Sequence, residues 1–149
     1  MTAAAYTAWC ESNVMMQNIH YYSQLNELTL EGVEGKTFLE IGCGPCPIGQ
    51  KLAAKGARKI YGLDISQEMI DESKANLRRL GIADQFELIC ADIFDESFAL
   101  PEKVDCVVLS YTITCFINKR ESLVEILRQC SKQIKDDGYI LITDFSFPN

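Results

Sequence analysis

Five apolar stretches of strand length recur along the chain, with helical segments between most of them, and no other feature narrows the fold so far. The stretches are Thr37–Ile41, Lys59–Leu63, Phe86–Cys90, Val104–Leu109 and Tyr139–Thr143. Ile48–Lys55 places Ile48, Leu52 and Ala53 on one face and stops at Gly56. Ser66–Leu80 opens on a capping serine, carries Met69, Ile70, Leu77 and Leu80, and stops at Gly81. Lys119–Ile134 repeats Leu123, Ile126, Leu127, Cys130 and Ile134 at three- and four-residue steps. Parallel neighbours need long crossovers, and right-handed ones lay their helices on the sheet faces. The alternation therefore predicts an open, doubly wound α/β sheet, mostly parallel, of five strands. Between Cys90 and Val104 the connection is short for a full helix and holds Pro101 near its end, so a loop or a single helical turn is expected there.

With 149 residues, the expected organisation is one domain over 1–149, with a helical extension over 1–30 and an α/β core over 36–147. A unit of this size buries roughly 68–70% of its unfolded-chain surface and needs no staples. The formal charge of -7 disfavours a nucleic-acid partner, because phosphate neutralisation needs clustered Lys and Arg. No apolar run approaches the roughly 18 residues of a membrane span. Met1 to Trp9 lacks a basic start and a signal-type apolar segment. Seven cysteines are an odd number, and Cys90, Cys106 and Cys115 sit inside apolar runs, as free thiols of a reducing, cytoplasmic compartment would. The single Cys-x-x-Cys has no second ligand pair at finger spacing, so no metal is expected.

The first strand runs into Gly42-Cys43-Gly44-Pro45-Cys46-Pro47 and then a helix. Glycine stands where backbone bends sharply or approaches a ligand, and in doubly wound sheets ligands lie beyond the carboxyl ends of the strands. A dinucleotide fingerprint needs a third glycine where Pro47 stands. Glu40, two residues before the turn, would repel a pyrophosphate and favour a cationic group. About twenty residues on, Asp64 ends the second strand as an acceptor for ribose hydroxyls, and Asp92 closes the third in the same way. Three successive strands ending in acids around a Gly-x-Gly turn describe a pocket for a ribose-bearing ligand of cationic character.

These residues resemble the class I S-adenosylmethionine-dependent methyltransferases of the small-molecule type, a Rossmann-like family. Its acid-x-Gly-x-Gly motif is matched by Glu40, Gly42 and Gly44, its second-strand motif by Asp64-Ile65-Ser66 with Met69, its third by Ala91-Asp92-Ile93, and its fourth by Asp105 through Ser110. The resemblance implies S-adenosylmethionine as cofactor. The Gly42-Cys43-Gly44 turn would lie along the methionine moiety, with Glu40 and the Ser110 backbone near its ammonium. Asp64 would take the ribose hydroxyls, Ile65 and Met69 the adenine ring, and Asp92 the adenine amino group beside the Ile93 backbone. Tyr6-x-x-Trp9 resembles the family's cofactor-covering start, although Asn13 stands near the place of a second aromatic.

The function so implied is in-line methyl transfer to a small molecule, with positioning and desolvation as the protein's contribution. No catalytic residue is assigned. His20 is the base candidate by type, and Tyr111, Thr112 and Thr114 are candidates to orient an acceptor. The Asp/Asn-Pro-Pro-aromatic tetrapeptide of amino-methylating nucleic-acid enzymes is absent, since Ser110-Tyr111-Thr112-Ile113 stands there. Two alternatives stay open: a non-catalytic methyltransferase-like binding subunit, and a thiol-disulfide oxidoreductase built on Cys43-Gly44-Pro45-Cys46. The resemblance also implies two further strands after the fifth, and the chain stops at Pro148-Asn149 before them. It would then be a shortened enzyme, or a short form whose fifth-strand edge meets a partner or a second copy.

Overall fold

The computed structural model describes residues 32–110, 112–113 and 120–143, without the side chains of 120–122. The described residues form five strands: β1 (Thr37–Ile41), β2 (Lys59–Asp64), β3 (Phe86–Cys90), β4 (Val104–Ser110) and β5 (Ile134–Thr143). They form one sheet in the order β3-β2-β1-β4-β5, with every pairing parallel. Among the described residues, three helices lie between them: α1 (Pro47–Ala54), α2 (Gln67–Arg79) and α3 (Arg120–Gln133). A short 3-10 turn, Ala83–Gln85, precedes β3. The doubly wound sheet expected from the alternation is the one observed, and residues 91–103 form the expected connection without a helix.

β1 is central, and all five of its residues are buried, as a strand covered on both faces requires. Its parity divides the core. Phe38 faces α1 together with Ile48, Leu52, Ile60, Cys106 and Val108. Leu39 and Ile41 face the other way, onto Leu63, Val107, Leu109, Ile126 and Cys130. α2 begins at Ser66, whose hydroxyl accepts the Met69 N–H, and buries Ile70, Ser73 and Leu77. β5 corrects the sequence expectation: it starts at Ile134, directly after α3, and not at Tyr139. Ile134 pairs with Val104 and Tyr139 with Cys106, so the intervening residues bulge from the ladder. Among the described residues β5 is an outer strand, and its Tyr139 and Ile142 are exposed. No described helix is long and apolar enough to cross a membrane.

The amino-terminal edge of the sheet is tied by Asp105. Its Oδ2 accepts the backbone N–H and the hydroxyl of buried Thr37, both at 2.8 Å, and its Oδ1 accepts the Lys135 ammonium at 2.7 Å. Burial pushes this carboxyl up, but Lys135 and the Thr37 donors outweigh it and bring it from 3.8 down to about 2. The stabilisation is therefore complete above pH 3.8 and disappears as pH falls towards 2. Asp105→Ala leaves both Thr37 donors unpaired and is expected to cost about 2–4 kcal/mol at pH 7. Urea unfolding checks this: the gap between the two proteins should narrow in acid, and a gap independent of pH would refute the assignment.

Candidate functional site

Beyond Ile41 the chain reverses at Gly42, whose φ is 65°. A Cβ there would also lie 2.5 Å from Thr112 Cγ2, so glycine is required on both counts. The Cys43 N–H donates to the Leu63 carbonyl at 3.0 Å, and the Cys46 N–H to the Cys43 carbonyl at 2.7 Å, closing a four-residue turn. Cys46 then enters α1 with φ 59° and offers the helix no side-chain cap. Glu40 supplies the missing acceptor. It shares the parity of Phe38, so its side chain lies on the α1 face, where Oε2 accepts the Gly49 N–H at 2.9 Å and the Cys46 thiol at 3.3 Å.

Only 3% of Glu40 is exposed. Its carboxylate is thus engaged by the loop's own donors, the Gly49 N–H and the Cys46 thiol. Burial pushes the carboxyl up to about 7, against the lowering effect of the Gly49 N–H.

Asp64, at the tip of β2, grips the same turn from outside. Its Oδ2 accepts the Gly44 N–H and its Oδ1 the Ser66 N–H, both at 2.9 Å. The Gly44 carbonyl accepts the hydroxyl of Ser73, which is fully buried on α2. Both polar groups of Gly44 are therefore clamped. The sequence reading missed Ser73, although a serine between Ile70 and Leu77 on the buried stripe of α2 was the available signal.

Around this clamp the remaining residues separate by environment. Ile65 is 71% exposed, an isolated apolar side chain beside Asp64, and Met69 is partly buried one turn into α2. The Cys90 thiol reaches the Ile65 carbonyl at 3.6 Å. Asp92 is exposed at the end of β3, and its Oδ1 accepts the Phe94 N–H at 2.9 Å. Ile93 is buried in the core, in the cluster that holds Ile41, Leu63 and Leu109. The Ser110 carbonyl accepts the Thr112 hydroxyl at 2.9 Å, and the same hydroxyl reaches the Ile41 carbonyl at 3.0 Å. Thr112, expected to orient an acceptor, is buried instead and stitches β1 to β4 above Gly42. His20, Tyr6, Trp9, Asn13, Tyr111 and Thr114 lie outside the described residues.

Glu40, Gly42, Cys43, Gly44 and Asp64 thus form one bonded unit at the carboxyl edge. β1 sits between β2 and β4 there, at the point where the strand order reverses, which is where open α/β sheets bind ligands.

The dithiol does not suit redox catalysis. Cys43 and Cys46 are 2% and 0% exposed. A hydrogen bond with Cys43, followed by burial, raises the Cys46 thiol well above its ordinary range, whereas catalytic thiols are depressed and accessible. Among the described residues no group of three or more His, Cys, Asp or Glu could hold a metal ion.

Between 4.5 and about 7 the native protein keeps a proton on Glu40 that the unfolded chain has released. Stability should therefore fall as pH rises through that window and level off above it. Glu40→Gln retains an oxygen for the Gly49 N–H and has no such proton. Its advantage over the parent is expected to grow from pH 5 to pH 8 by on the order of 3 kcal/mol in urea unfolding. Parallel pH profiles for the two proteins would refute the buried, proton-holding carboxyl.

Comparison with known proteins bears on the same residues. Residues 33–148 match a protein family described as a methyltransferase domain. The ubiquinone biosynthesis O-methyltransferase of Neisseria meningitidis is 24% identical over 143 residues, covering 91% of this chain and 56% of that protein. A ribosomal protein L11 methyltransferase of Aliivibrio fischeri is 44% identical over 61 residues, covering 40% of this chain and 21% of that protein. The chain thus spans about half the length, or less, of these relatives. An S-adenosylmethionine-dependent methyltransferase of Clostridium acetobutylicum has a crystal structure that superposes with a TM-score of 0.69 at 19% identity, over 93% of this chain and 55% of that one. Because the family match runs unbroken from just before β1, through the clamped turn and past the end of β5, the chain belongs to the methyltransferase-domain family.

Proposed function

We propose that the chain binds S-adenosylmethionine along the carboxyl edge of β1, β2, β3 and β4, and that the protein transfers its methyl group to a small molecule. The observation that carries the proposal is Asp64: a half-buried carboxylate whose two oxygens each accept one backbone N–H, leaving lone pairs for a ligand, beside an Ile65 that is 71% exposed. The donor set fits the cofactor. Asp64 accepts the ribose hydroxyls, Ile65 and Met69 line the adenine ring, and Asp92 accepts its amino group next to the Ile93 backbone. The Gly42–Gly44 backbone runs along the methionine portion, and the Ser110 backbone lies towards the ammonium. Glu40 acts through the loop it holds. When bound, S-adenosylmethionine supplies a sulfonium methyl group open to in-line displacement. The chain's own residues fix its position and exclude water, effects that lower such barriers by about 7–11 kcal/mol.

A small-molecule acceptor draws support from the ubiquinone O-methyltransferase likeness, which extends over 91% of the chain. The acid excess also disfavours a nucleic-acid acceptor.

Calorimetry with S-adenosylmethionine and S-adenosylhomocysteine tests the site. Asp64→Ala is expected to weaken both by roughly thirty- to thousand-fold, or about 2–4 kcal/mol. Ser73→Ala loosens Gly44 from the opposite side and should stay within about tenfold, which separates loss of the ribose acceptor from a slackened turn. A change below about threefold in Asp64→Ala would refute its assignment.

A further inference from the structure

The thiols of Cys43 and Cys46 have no task in the contacts just proposed, yet they occupy the turn on which those contacts depend. Both Sγ atoms lie 3.1 Å from the point a Cβ on Gly62 would occupy. Gly62 thus leaves a space in β2 that the sulfurs share. A hydrogen-bonded four-residue turn keeps its end Cα atoms within about 7 Å, and a disulfide spans roughly 4.4–6.8 Å between Cα atoms. Joining the sulfurs therefore needs side-chain rotation and a local tightening, without rearrangement of the sheet.

We propose that this pair is a modification site: a hydroperoxide converts Cys43 and Cys46 to an intramolecular disulfide that deforms the turn and releases the cofactor. The proposal rests on the reading that this turn carries S-adenosylmethionine. In the step both S–H bonds break and one S–S bond forms. The two thiols lose two electrons and two protons, and the O–O bond of the peroxide cleaves to water and an alcohol, or to two waters from hydrogen peroxide. The Cys46 sulfur then has no proton for Glu40 Oε2 and leaves it for Cys43. Gly44 lies between the joined residues, clamped at its N–H by Asp64 and at its carbonyl by Ser73. Tightening the turn pulls against both clamps, and through the first it displaces the ribose acceptor.

Burial sets the direction of control. The thiols are packed with Ile70, Phe86 and Leu88, so peroxide reaches them only when the turn lifts. A cofactor lying along the turn holds it down. Occupancy and oxidation each oppose the other, as coupled equilibria must.

The test uses the full chain, reduced and then treated with hydrogen peroxide, with and without S-adenosylhomocysteine. Remaining thiols are alkylated and the peptides mapped without reduction. A Cys43–Cys46 linkage is expected, appearing more slowly with S-adenosylhomocysteine present. The linked chain should bind S-adenosylhomocysteine at least about tenfold more weakly, and dithiothreitol should restore the affinity. Cys43→Ser and Cys46→Ser should each lose the peroxide dependence. If neither variant folds, mapping and affinity on the native sequence still decide. Linkage through other cysteines, no linkage, or a linked chain that binds within about threefold of the reduced one overturns the proposal while leaving the cofactor site intact. A reduced chain that binds no S-adenosylhomocysteine removes the cofactor reading, and this proposal with it.

Discussion

A turn as sharp as the one after β1 strands peptide groups that neither sheet nor helix can pair, and buried unpaired groups cost about 1–3 kcal/mol each. Here two carboxylates and a serine take them up. Glu40 accepts the Gly49 N–H at the start of α1, Asp64 accepts the Gly44 N–H, and Ser73 donates to the Gly44 carbonyl. The rest of the site follows from that arrangement. The turn cannot relax without breaking bonds to β1, β2 and α2 together, so the strand tips stay in register around it.

The two acids serve opposite ends of one design because they stand at different distances from their strand ends. Glu40 is inside β1, where every residue is covered, so its charge is expensive and its carboxyl rises to about 7. Asp64 is the last residue of β2, half-buried, and can serve the turn on one side and solvent or a ligand on the other. Asp105 shows a third outcome at the far edge of the sheet, where Lys135 and Thr37 hold a carboxyl near 2. Neighbours and burial, and not residue type, decide which acid holds its proton and which stays charged and accessible.

Much of this architecture is legible in the bare chain. The bounds of β1 and β3 coincide with their apolar runs, and Ser66 caps α2 as its place before the periodic stripe suggests. Legibility fails where a contact joins distant segments. Thr112 looks like a residue facing substrate until the carbonyls of Ile41 and Ser110 are seen beside it. Ser73 looks like a polar break in a helix until the Gly44 carbonyl is found against it. The early start of β5 depends on Ile134 pairing across a bulge with Val104, a register that no local pattern encodes.

From the order of its residues alone the chain determines an alternating α/β sheet, the glycine turn and the acids at the ends of its strands, because periodicity and backbone freedom are local properties. Which way each acid points was decided only by tertiary packing. The parity of a central strand turned Glu40 towards α1, and the space left by Gly62 drew both thiols inward with it. Asp64 kept its outward position because the sheet ends there, and a side chain at the rim is the one that both protein and ligand can reach.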